Sequence, residues 1–240
     1  TNHTDDNAAP VKDPLIAVNN SEVQSCDPAA TTARPTFQCL CQMLENLVEM
    51  DENGEYVMHL AESVEQVDDV TYLVHLRQGV KFHNGEEMKA SDVVFTYARA
   101  LESAKAISNL SELDPEGLAE IDEYTVQFKT KEKIATFLNV LTRNNGMILN
   151  KKAVEEAGDE VGRSCIGTGP YKFVEWQTGV QITMDAFEDY WGEKASIPHV
   201  IYKFVDDANS RMVMLEAGEA DLIYSVPTSG IDVLAGNDKV

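Results

Sequence analysis

Positive charge is scarce in this sequence. Lysine and arginine together number 19, against 41 aspartate and glutamate residues, and the formal net charge is −22. A polyanion repels nucleic-acid phosphates and anionic lipid headgroups, so nucleic acid and the membrane surface are not expected partners. Long apolar runs are also missing, since none approaches the roughly 20 residues that a membrane helix needs. With 240 residues, 43% of them hydrophobic, the chain is nevertheless long enough to bury a core.

Cysteine is scarce as well: the chain has four, too few for a fold based on disulfides at this length. Cys39 and Cys41 lie in an apolar stretch, residues 36–48, that is predicted to be a helix. Residues two apart on a helix point to different faces, so these thiols are not expected to chelate a metal together, and we expect both to be buried. A disulfide between Cys26 and Cys165 stays open, because spacing does not determine connectivity.

The sequence lacks the patterns that carry catalysis or metal binding. The histidines have no paired i, i+4 spacing, and there is no nucleophile elbow and no Walker loop. Residues 167–170 begin like a dinucleotide fingerprint, but proline follows the second glycine, so we interpret them as a rigid turn. The acidic pair Glu45 and Glu49 is expected to be solvated surface. The histidines concerned are His3, His59, His75, His83 and His199. We therefore expect no enzyme activity, no cofactor and no metal site.

Hydrophobic patterning predicts strands alternating with helices. The apolar run at residues 14–18 is typical of a buried strand, and residues 71–77 are typical of a second strand, followed by a turn at 83–85. Ser91 occupies a position suited to an N-cap, which predicts an amphipathic helix over residues 92–102. Further predicted elements are a strand at 124–128, a helix at 134–141 and a strand at 147–149.

The last third of the chain is predicted to be a βαβ unit. A strand at residues 200–205 is followed by a helix at 208–217, which Gly218 ends, and by a strand at 220–224. A unit of this kind implies parallel strands joined by a crossover.

Four segments occur along the chain in a set order, at residues 19–28, at 71–95, at 167–173 with 189–192, and at 211–221. The second includes Thr-Tyr-Leu-Val-His-Leu-Arg-Gln-Gly-Val-Lys-Phe-His-Asn-Gly, and the fourth includes Gly-Glu-Ala-Asp. Together they resemble the oligopeptide and dipeptide substrate-binding proteins of ABC importers, the cluster C type of family 5. The sequence departs from that family at Cys26, where leucine is usual, and at Phe187, where asparagine is usual. Thr32 and Arg34 stand where similar proteins can carry an acidic and an apolar residue, so a different ligand is an open alternative.

The resemblance implies an α/β fold, that of one lobe of a type II periplasmic binding protein, with a mixed sheet and an inserted smaller α/β subdomain. We expect a main lobe subdomain at residues 14–42 and 166–240, incomplete because such proteins are longer and have a second lobe. The inserted α/β subdomain is expected at residues 43–165. Residues 1–13 are expected to be a flexible tether, because the N-terminus is polar and lacks an apolar nucleus.

The resemblance also implies an extracytoplasmic solute-binding protein that delivers oligopeptides or dipeptides to an ABC importer. Its partners would be a peptide ligand and the permease subunits, and it would be a monomer, either a cell-surface lipoprotein or periplasmic. Membrane attachment is expected only through an N-terminal lipid anchor outside this chain. Nickel, haem or sugar binding, and a peptide-sensing surface receptor, are the alternatives. A single lobe provides half a cleft, so it is expected to fold but to bind weakly.

The resemblance points to five ligand-binding residues. Thr32, Ala33 and Arg34 align with a strip whose backbone pairs with an extended peptide in similar proteins. Arg34 is expected to meet a ligand carboxylate, and a solvated loop charge is the alternative. Tyr224 and Ser225 follow the last predicted strand, at the sheet edge where ligands of open α/β folds bind. Tyr224 also matches a tyrosine that lines the cleft of similar proteins, with core packing as the alternative.

Overall fold

The computed structural model describes residues 12–237, which fall into two compact units. Of these residues, unit 1 contains 12–22, 174–186 and 194–237, and unit 2 contains 23–173 and 187–193. The strands are β1 (Leu15–Asn19), β2 (Val48–Met50), β3 (Tyr56–Met58), β4 (Ala61–Gln66), β5 (Thr71–Leu76), β6 (Ala119–Asp122), β7 (Thr125–Lys129), β8 (Tyr171–Gln177), β9 (Gln181–Ala186), β10 (His199–Phe204) and β11 (Leu222–Ile223). The helices are α1 (Arg34–Leu40), α2 (Ala90–Glu102), α3 (Leu138–Leu141), α4 (Lys151–Ala157), α5 (Ala208–Glu216) and α6 (Thr228–Ala235).

The units differ in their boundaries from the expected subdomains. Residues 23–42 pack with unit 2, because Ala29 lies in its hydrophobic core and the buried Asn145 side chain binds the backbone there. The division of the complete protein into a main subdomain and an inserted subdomain stays a prediction. Most of the tether expected at residues 1–13 lies outside the described residues; Lys12 and Asp13, which are described, contact Asp221 and His199.

Unit 1 is built on a mixed sheet with the strand order β11-β1-β10-β9-β8. Strand β1 pairs in parallel with both β10 and β11, and β10 pairs with β9 antiparallel. A central strand whose two faces are both covered is typically a continuous apolar run, and β1 has such a run. Val18 from this run packs with Ala220, Ile223 and Leu234 in the core of the unit. The mixed sheet expected from the sequence is confirmed.

The predicted βαβ unit is confirmed in unit 1, because β10 and β11 flank β1 in parallel and α5 connects them. The Asp207 carboxylate caps α5 by accepting a hydrogen bond from the Ser210 N–H at 2.7 Å. Gly218 follows the helix with a φ of +74°, a backbone conformation that glycine adopts without strain.

Unit 2 contains a four-stranded antiparallel sheet, in the order β4-β5-β7-β6, and a two-stranded pair of β2 and β3. Helix α2 packs against this sheet, and its buried face includes Val93, Tyr97 and Leu101. Tyr97 and Phe128 form an edge-to-face pair at 4.9 Å between ring centroids, the geometry that aromatic quadrupoles favour. The predicted helix is confirmed, but its apolar periodicity rests on Val94, Tyr97, Ala98 and Leu101, of which only Tyr97 and Leu101 are buried, so it predicts only part of the packing face.

The start of α2 differs from the sequence prediction. The helix begins at Ala90, so Ser91 lies inside its first turn and is not the N-cap. Asp92 stabilises this end instead, because its carboxylate accepts hydrogen bonds from the backbone N–H groups of Lys89, at 3.0 Å, and Lys151, at 2.8 Å. A carboxylate in the first turn also interacts favourably with the helix dipole.

Three further predictions for unit 2 are wrong. The helix predicted at residues 36–48 ends at Leu40, so Cys41 lies beyond it and is exposed, whereas Cys39 is buried as expected. The helix predicted at 134–141 covers only Leu138–Leu141. Residues 147–149 are buried but belong to no described strand; the Ile148 N–H donates to the Glu45 carbonyl at 2.9 Å. Each of these segments is apolar and short, and such runs do not distinguish a helix from a buried loop.

Candidate ligand-binding site

In unit 2, the strip Thr32–Arg34 is an exposed segment held by buried polar contacts. The hydroxyl of Thr31 accepts a hydrogen bond from the Ala33 N–H at 3.0 Å and donates one to the Gln24 side chain at 2.9 Å. The amide of Asn145, which is 2% exposed, donates to the Thr31 carbonyl at 2.9 Å. The backbone N–H and C=O of Thr32 have no hydrogen-bond partner among residues 12–237. The strip is therefore fixed in place, and the backbone of Thr32 stays free to pair with a ligand, whereas the N–H and the carbonyl of Ala33 are bonded to Thr31 and Phe37.

Next to this strip lies an open depression of about 380 Å³. No aspartate or glutamate is among the described residues that line it, although the whole chain is strongly acidic. Two of the lining side chains are guanidinium groups, and most of the others are hydroxyl or amide groups, which together suit a polar, anionic ligand group. The lining residues are Thr32, Arg34, Phe37, Asn109, Thr142, Arg143, Asn144 and Asn145.

The two arginines of the depression are in different electrostatic states. Arg143 forms a bidentate ion pair with Glu112, at 2.7 and 2.8 Å, and this pairing lowers the pKa of Glu112 to about 2. Arg34 is exposed, and its guanidinium has no hydrogen bond or ion pair within the described part of the chain. Arg34 therefore contributes an uncompensated positive charge at the depression, whereas the charge of Arg143 is largely balanced.

In unit 1, Tyr224 and Ser225 follow β11 directly, at the carboxyl end of a parallel strand. The Tyr224 N–H donates to the Val18 carbonyl at 2.9 Å, and the Tyr224 ring lies 5.8 Å from the Tyr202 ring. The Tyr224 side chain is half-buried, so part of its surface remains exposed. Ser225 has a φ of +57°, which is uncommon for a residue other than glycine and is typical of constrained turns and binding sites.

A buried arginine holds this part of unit 1. Arg211, on α5, is 3% exposed, and its guanidinium donates to the carbonyls at the ends of β10 and β11. Five donors in a rigid plane allow one arginine to satisfy several carbonyl groups at once. The carbonyls and their distances are Val205 at 2.8 Å, Asp206 at 2.7 Å, Tyr224 at 3.1 Å and Ser225 at 2.9 Å.

The prediction that Glu45 is solvated is wrong, because this residue is only 4% exposed in unit 2. Its carboxylate accepts hydrogen bonds from Thr168, at 2.6 Å, and from Tyr190, at 2.6 Å. Trp191 donates to it at 3.0 Å, and His59 lies 2.7 Å away. Burial favours the neutral acid, but the hydrogen bonds from His59, Thr168 and Trp191 outweigh it and lower the pKa of Glu45. The carboxylate thus anchors the turn formed by residues 187–193; nothing in the local sequence around Glu45 signals these distant partners.

The glycines at 167 and 169 have a structural role, in agreement with the interpretation of this segment as a turn. A Cβ on Gly167 would lie 2.2 Å from the Met43 carbonyl oxygen, and one on Gly169 would lie 2.7 Å from the Met43 carbonyl carbon. Only glycine permits such a close approach of two backbones. The segment is held further by His83, whose Nδ1 accepts from the Gly167 N–H at 3.3 Å and whose Nε2 donates to the Gly169 carbonyl at 3.0 Å.

The described residues also limit other kinds of site. Among residues 12–237, no group of three or more His, Cys, Asp or Glu side chains is arranged to hold a metal ion. In the same part of the chain, no helix combines the length and apolar character needed to cross a membrane.

The mixed sheet and its helices form the α/β architecture of a lobe of a periplasmic binding protein. The chain belongs to the bacterial extracellular solute-binding proteins of family 5, whose model matches residues 55–240. Members of this family are periplasmic or otherwise extracytoplasmic binding proteins.

Two curated relatives carry binding-protein names. The chain is 31% identical to the glutathione-binding protein GsiB of Pectobacterium atrosepticum, over 97% of this chain and 46% of the relative. It is 32% identical to the oligopeptide-binding protein AppA of Bacillus subtilis, over 76% of this chain and 35% of the relative. The chain therefore spans less than half the length of these relatives.

Solved structures give the same family. OppA of Burkholderia pseudomallei matches with a TM-score of 0.84 and 25% identity, covering 92% of this chain and 47% of that one. AppA of Bacillus subtilis in complex with a nonapeptide matches with a TM-score of 0.83 and 28% identity, covering 93% of this chain and 46% of that one. The expected fold class, a type II periplasmic-binding-protein lobe, is confirmed.

Proposed function

We propose that this chain provides ligand-contacting surface of an extracytoplasmic solute-binding protein that delivers oligopeptides or dipeptides to an ABC importer. The observation that carries the proposal is the strip at residues 32–34, where Thr32, with free backbone hydrogen-bonding groups, and the unpaired Arg34 lie beside a depression without acidic residues. Backbone pairing is independent of ligand side chains, so it suits a receptor for peptides of varied sequence.

The charge of the strip supports a ligand with a free carboxylate. Arg34 has no acidic partner within residues 12–237, so a ligand carboxylate would pair with it without displacing an existing contact. Relatives named for glutathione and for oligopeptides both bind peptides, and glutathione is an anionic tripeptide. Thr32 is proposed as the backbone contact, and Arg34 as the contact to the carboxylate. Ala33, whose backbone groups are bonded to Thr31 and Phe37, is proposed as a contact through its exposed surface.

Tyr224 and Ser225 are proposed as separate ligand contacts, carried by unit 1. Their support is their position after a parallel strand, the partial exposure of Tyr224 and the constrained backbone of Ser225. The carbonyl groups of both residues are already held by Arg211, so these contacts would be made by the side chains and the remaining exposed surface.

The proposed partners and location follow from family membership. Permease subunits of an ABC importer are the proposed protein partners, and the protein is proposed to act as a monomer outside the cytoplasm. Attachment through an N-terminal lipid anchor outside this chain, which would make it a cell-surface lipoprotein, is part of the same proposal.

The test is a thermal-shift screen of the full-length protein against pools of di- to hexapeptides, glutathione, nickel, haem and oligosaccharides. Each peptide is supplied as a free acid and as the matched C-terminal amide. A rise in Tm with free-acid peptides and a smaller rise with the amides is expected, because a ligand that binds only the folded state raises Tm. A rise with nickel, haem or sugar alone would replace the peptide ligand and leave the fold unchanged.

A peptide-sensing receptor without transport is the alternative that binding alone does not distinguish. Uptake of a labelled peptide by cells that have or lack the full-length protein separates the two. Uptake that depends on the protein is expected; peptide binding with unchanged uptake would support sensing.

A further inference from the structure

Three of the four cysteines lie close together in the interior of unit 2. Cys26 and Cys39 are 0% exposed and Cys165 is 4% exposed, whereas Cys41 is at the surface. All four cysteines are free thiols in this structure; Cys26 is a neighbour of the Cys165 thiol, and Cys165 Sγ lies 3.8 Å from the thioether sulfur of Met43. Residues so far apart in sequence meet here only because the chain folds back on itself.

The backbones that carry Cys26 and Cys165 also run close together. The Cys26 N–H donates to the Gly162 carbonyl at 2.8 Å. A Cβ on Gly162 would lie 2.7 Å from the Ser25 hydroxyl, so this approach leaves no room for a side chain. The two chain segments are therefore positioned by contacts that do not depend on the sulfur atoms, as a cross-link between them requires.

The thiols have no other evident task. They are not part of a metal-binding group of three or more ligands within the described residues. Burial raises the pKa of the Cys39 thiol, and the neighbouring Cys26 thiol together with burial raises that of Cys165. A buried thiol that stays protonated is a poor nucleophile, so these groups do not form a reactive site in the folded protein.

We propose that Cys26 and Cys165 form a disulfide while the protein folds outside the cytoplasm. Disulfides persist in oxidising compartments, and members of this family are extracytoplasmic. The reaction is thiol–disulfide exchange with a disulfide-bearing oxidant: both thiol S–H bonds are lost and the Cys26–Cys165 S–S bond forms. The oxidant takes up the two electrons and two protons as its own S–S bond is reduced to two thiols. Exchange precedes burial, while thiolates can still form at the exposed sulfur atoms.

The bond would close most of unit 2 into a single loop. Cys26 lies just after residue 23, where the chain enters unit 2, and Cys165 lies shortly before residue 173, where the chain passes on to unit 1. A cross-link at this point restricts the unfolded state of almost the whole unit, and the stabilisation grows with the length of the closed loop. Cys39 is expected to stay a thiol, because the backbone hydrogen bond from Cys26 to Gly162 holds the segment of Cys26 against the segment of Cys165.

The test begins with unmodified protein, secreted into an oxidising compartment or refolded with oxidised glutathione. It is denatured, alkylated without reduction and cleaved by an endoproteinase that cuts before aspartate. Cleavage before Asp27 separates Cys26, in peptide 13–26, from Cys39 and Cys41, in peptide 27–50; Cys165 lies in peptide 159–184. We expect peptide 13–26 linked to peptide 159–184, with alkylation of Cys39 and Cys41 only. Alkylation of all four thiols, or a link that involves peptide 27–50, would overturn the proposal.

Thermal unfolding gives a second readout. Reduction of the protein is expected to lower Tm by about 5–15 °C, because a long loop is released in the unfolded state. The variant Cys39→Ala is the matched control: it removes a thiol from the same cluster but keeps the cross-link and the response to reduction. The double variant Cys26→Ala, Cys165→Ala is expected to lose that response. An equal Tm for oxidised and reduced unmodified protein contradicts the proposal, whether or not the variants fold.

Discussion

Arg34 stands exposed at the start of α1 with no acidic partner among residues 12–237, in a chain whose net charge is −22. An arginine in such a chain would readily find a carboxylate if its position allowed one. The neighbouring Arg143 shows the contrast, because Glu112 already pairs with it. The free charge of Arg34 is therefore the feature at the residue scale that determines the proposed ligand chemistry.

Replacement of Arg34 by glutamine in the full-length protein is expected to weaken binding of a free-acid peptide by about tenfold, the size of one charge-assisted hydrogen bond. Binding of the matched amide should change little, and isothermal titration calorimetry measures both. Lys105→Gln is the control, because it removes the same charge from an exposed residue that does not line the depression. A loss of less than twofold for the free acid would show that Arg34 is a solvated loop charge.

His83 predicts a pH dependence of stability. Burial lowers the pKa of His83 to about 4, assisted by Lys172 and opposed by the Gly169 hydrogen bond and by Glu45. The unfolded state takes up the proton near the ordinary value, about 6.5. Between pH 6.5 and pH 4 the unfolded state binds more protons than the folded state. The contribution of His83 to the free energy of unfolding is therefore fully present above about pH 6.5 and is lost as the pH falls towards 4. The loss should be about 3 kcal/mol.

The variant His83→Gln isolates this contribution, because its amide can still donate to the Gly169 carbonyl but does not titrate. Urea unfolding at pH 7 and at pH 4.5 measures the free energy of unfolding of both proteins. Carboxylates titrate in the same pH range in the unmodified protein and in the variant, so their effect on the free energy of unfolding cancels in the comparison. The stability advantage of the unmodified protein should shrink at pH 4.5. An advantage that is equal at both pH values would mean that His83 does not act in this way.

At the scale of elements, the turn at residues 187–193 depends on Glu45. Glu45→Gln is expected to destabilise the protein by about 2–4 kcal/mol, because the amide retains one acceptor oxygen and places an N–H₂ group against several donors. The measurement is the free energy of unfolding in urea. Glu52→Gln is the control, since Glu52 is exposed and none of its contacts belongs to the Glu45 network, and a change within about 0.5 kcal/mol is expected there. Equal effects of the two substitutions would mean that the buried network is not formed.

The ends of β10 and β11 depend in a similar way on α5. Arg211→Lys is expected to destabilise the protein by about 1–3 kcal/mol, because an ammonium group has three donors and lacks the planar arrangement that reaches several carbonyls. Val213→Ala, on the exposed side of the same helix, should change stability by no more than about 0.5 kcal/mol. Urea unfolding measures both, and an unchanged stability of Arg211→Lys would contradict the assigned contacts.

At the scale of the whole molecule, the chain spans less than half the length of the curated relatives described above. Closure of two lobes buries a ligand in proteins of this type and provides much of the affinity. The 240-residue chain is therefore expected to fold, with a cooperative thermal transition, but to show no saturable peptide binding at micromolar concentration. Isothermal titration of the chain beside the full-length protein measures this. Binding of equal strength by both would place the whole binding site in this chain.

Several features of the fold could be predicted from the sequence. The strands at β1, β5 and β10 and the helix α2 follow from apolar runs and periodicity, and their type is correct. The structural role of residues 167–170 could be predicted because proline fixes its own φ and glycine adopts conformations and close approaches that other residues do not. Boundaries were less accurate: the helix predicted from residue 36 begins at Arg34 and ends at Leu40. An apolar segment can be buried as helix, strand or loop, and its neighbours in space determine which of these forms.

The candidate site shows the same division. The residues Thr32–Arg34 could be selected from the family resemblance. Whether Arg34 has an acidic partner depends on which side chains lie near it in space, and the order of residues along the chain does not determine these neighbours. Glu45 was missed for this reason, because its partners Thr168, Tyr190 and Trp191 are distant in sequence. From the sequence, a pairing of Cys26 with Cys165 was only a possibility, because spacing along the chain does not determine which cysteines lie close together.

The sequence by itself determined the family, the α/β class and the types of the main elements, because these depend on local propensity, periodicity and short motifs. Tertiary structure alone decided which charges are buried and paired, which charge is left free and which thiols meet. These properties depend on distances between residues far apart in the chain, and burial in a low-dielectric interior determines whether a charge, a hydrogen bond or a thiol is stabilised there.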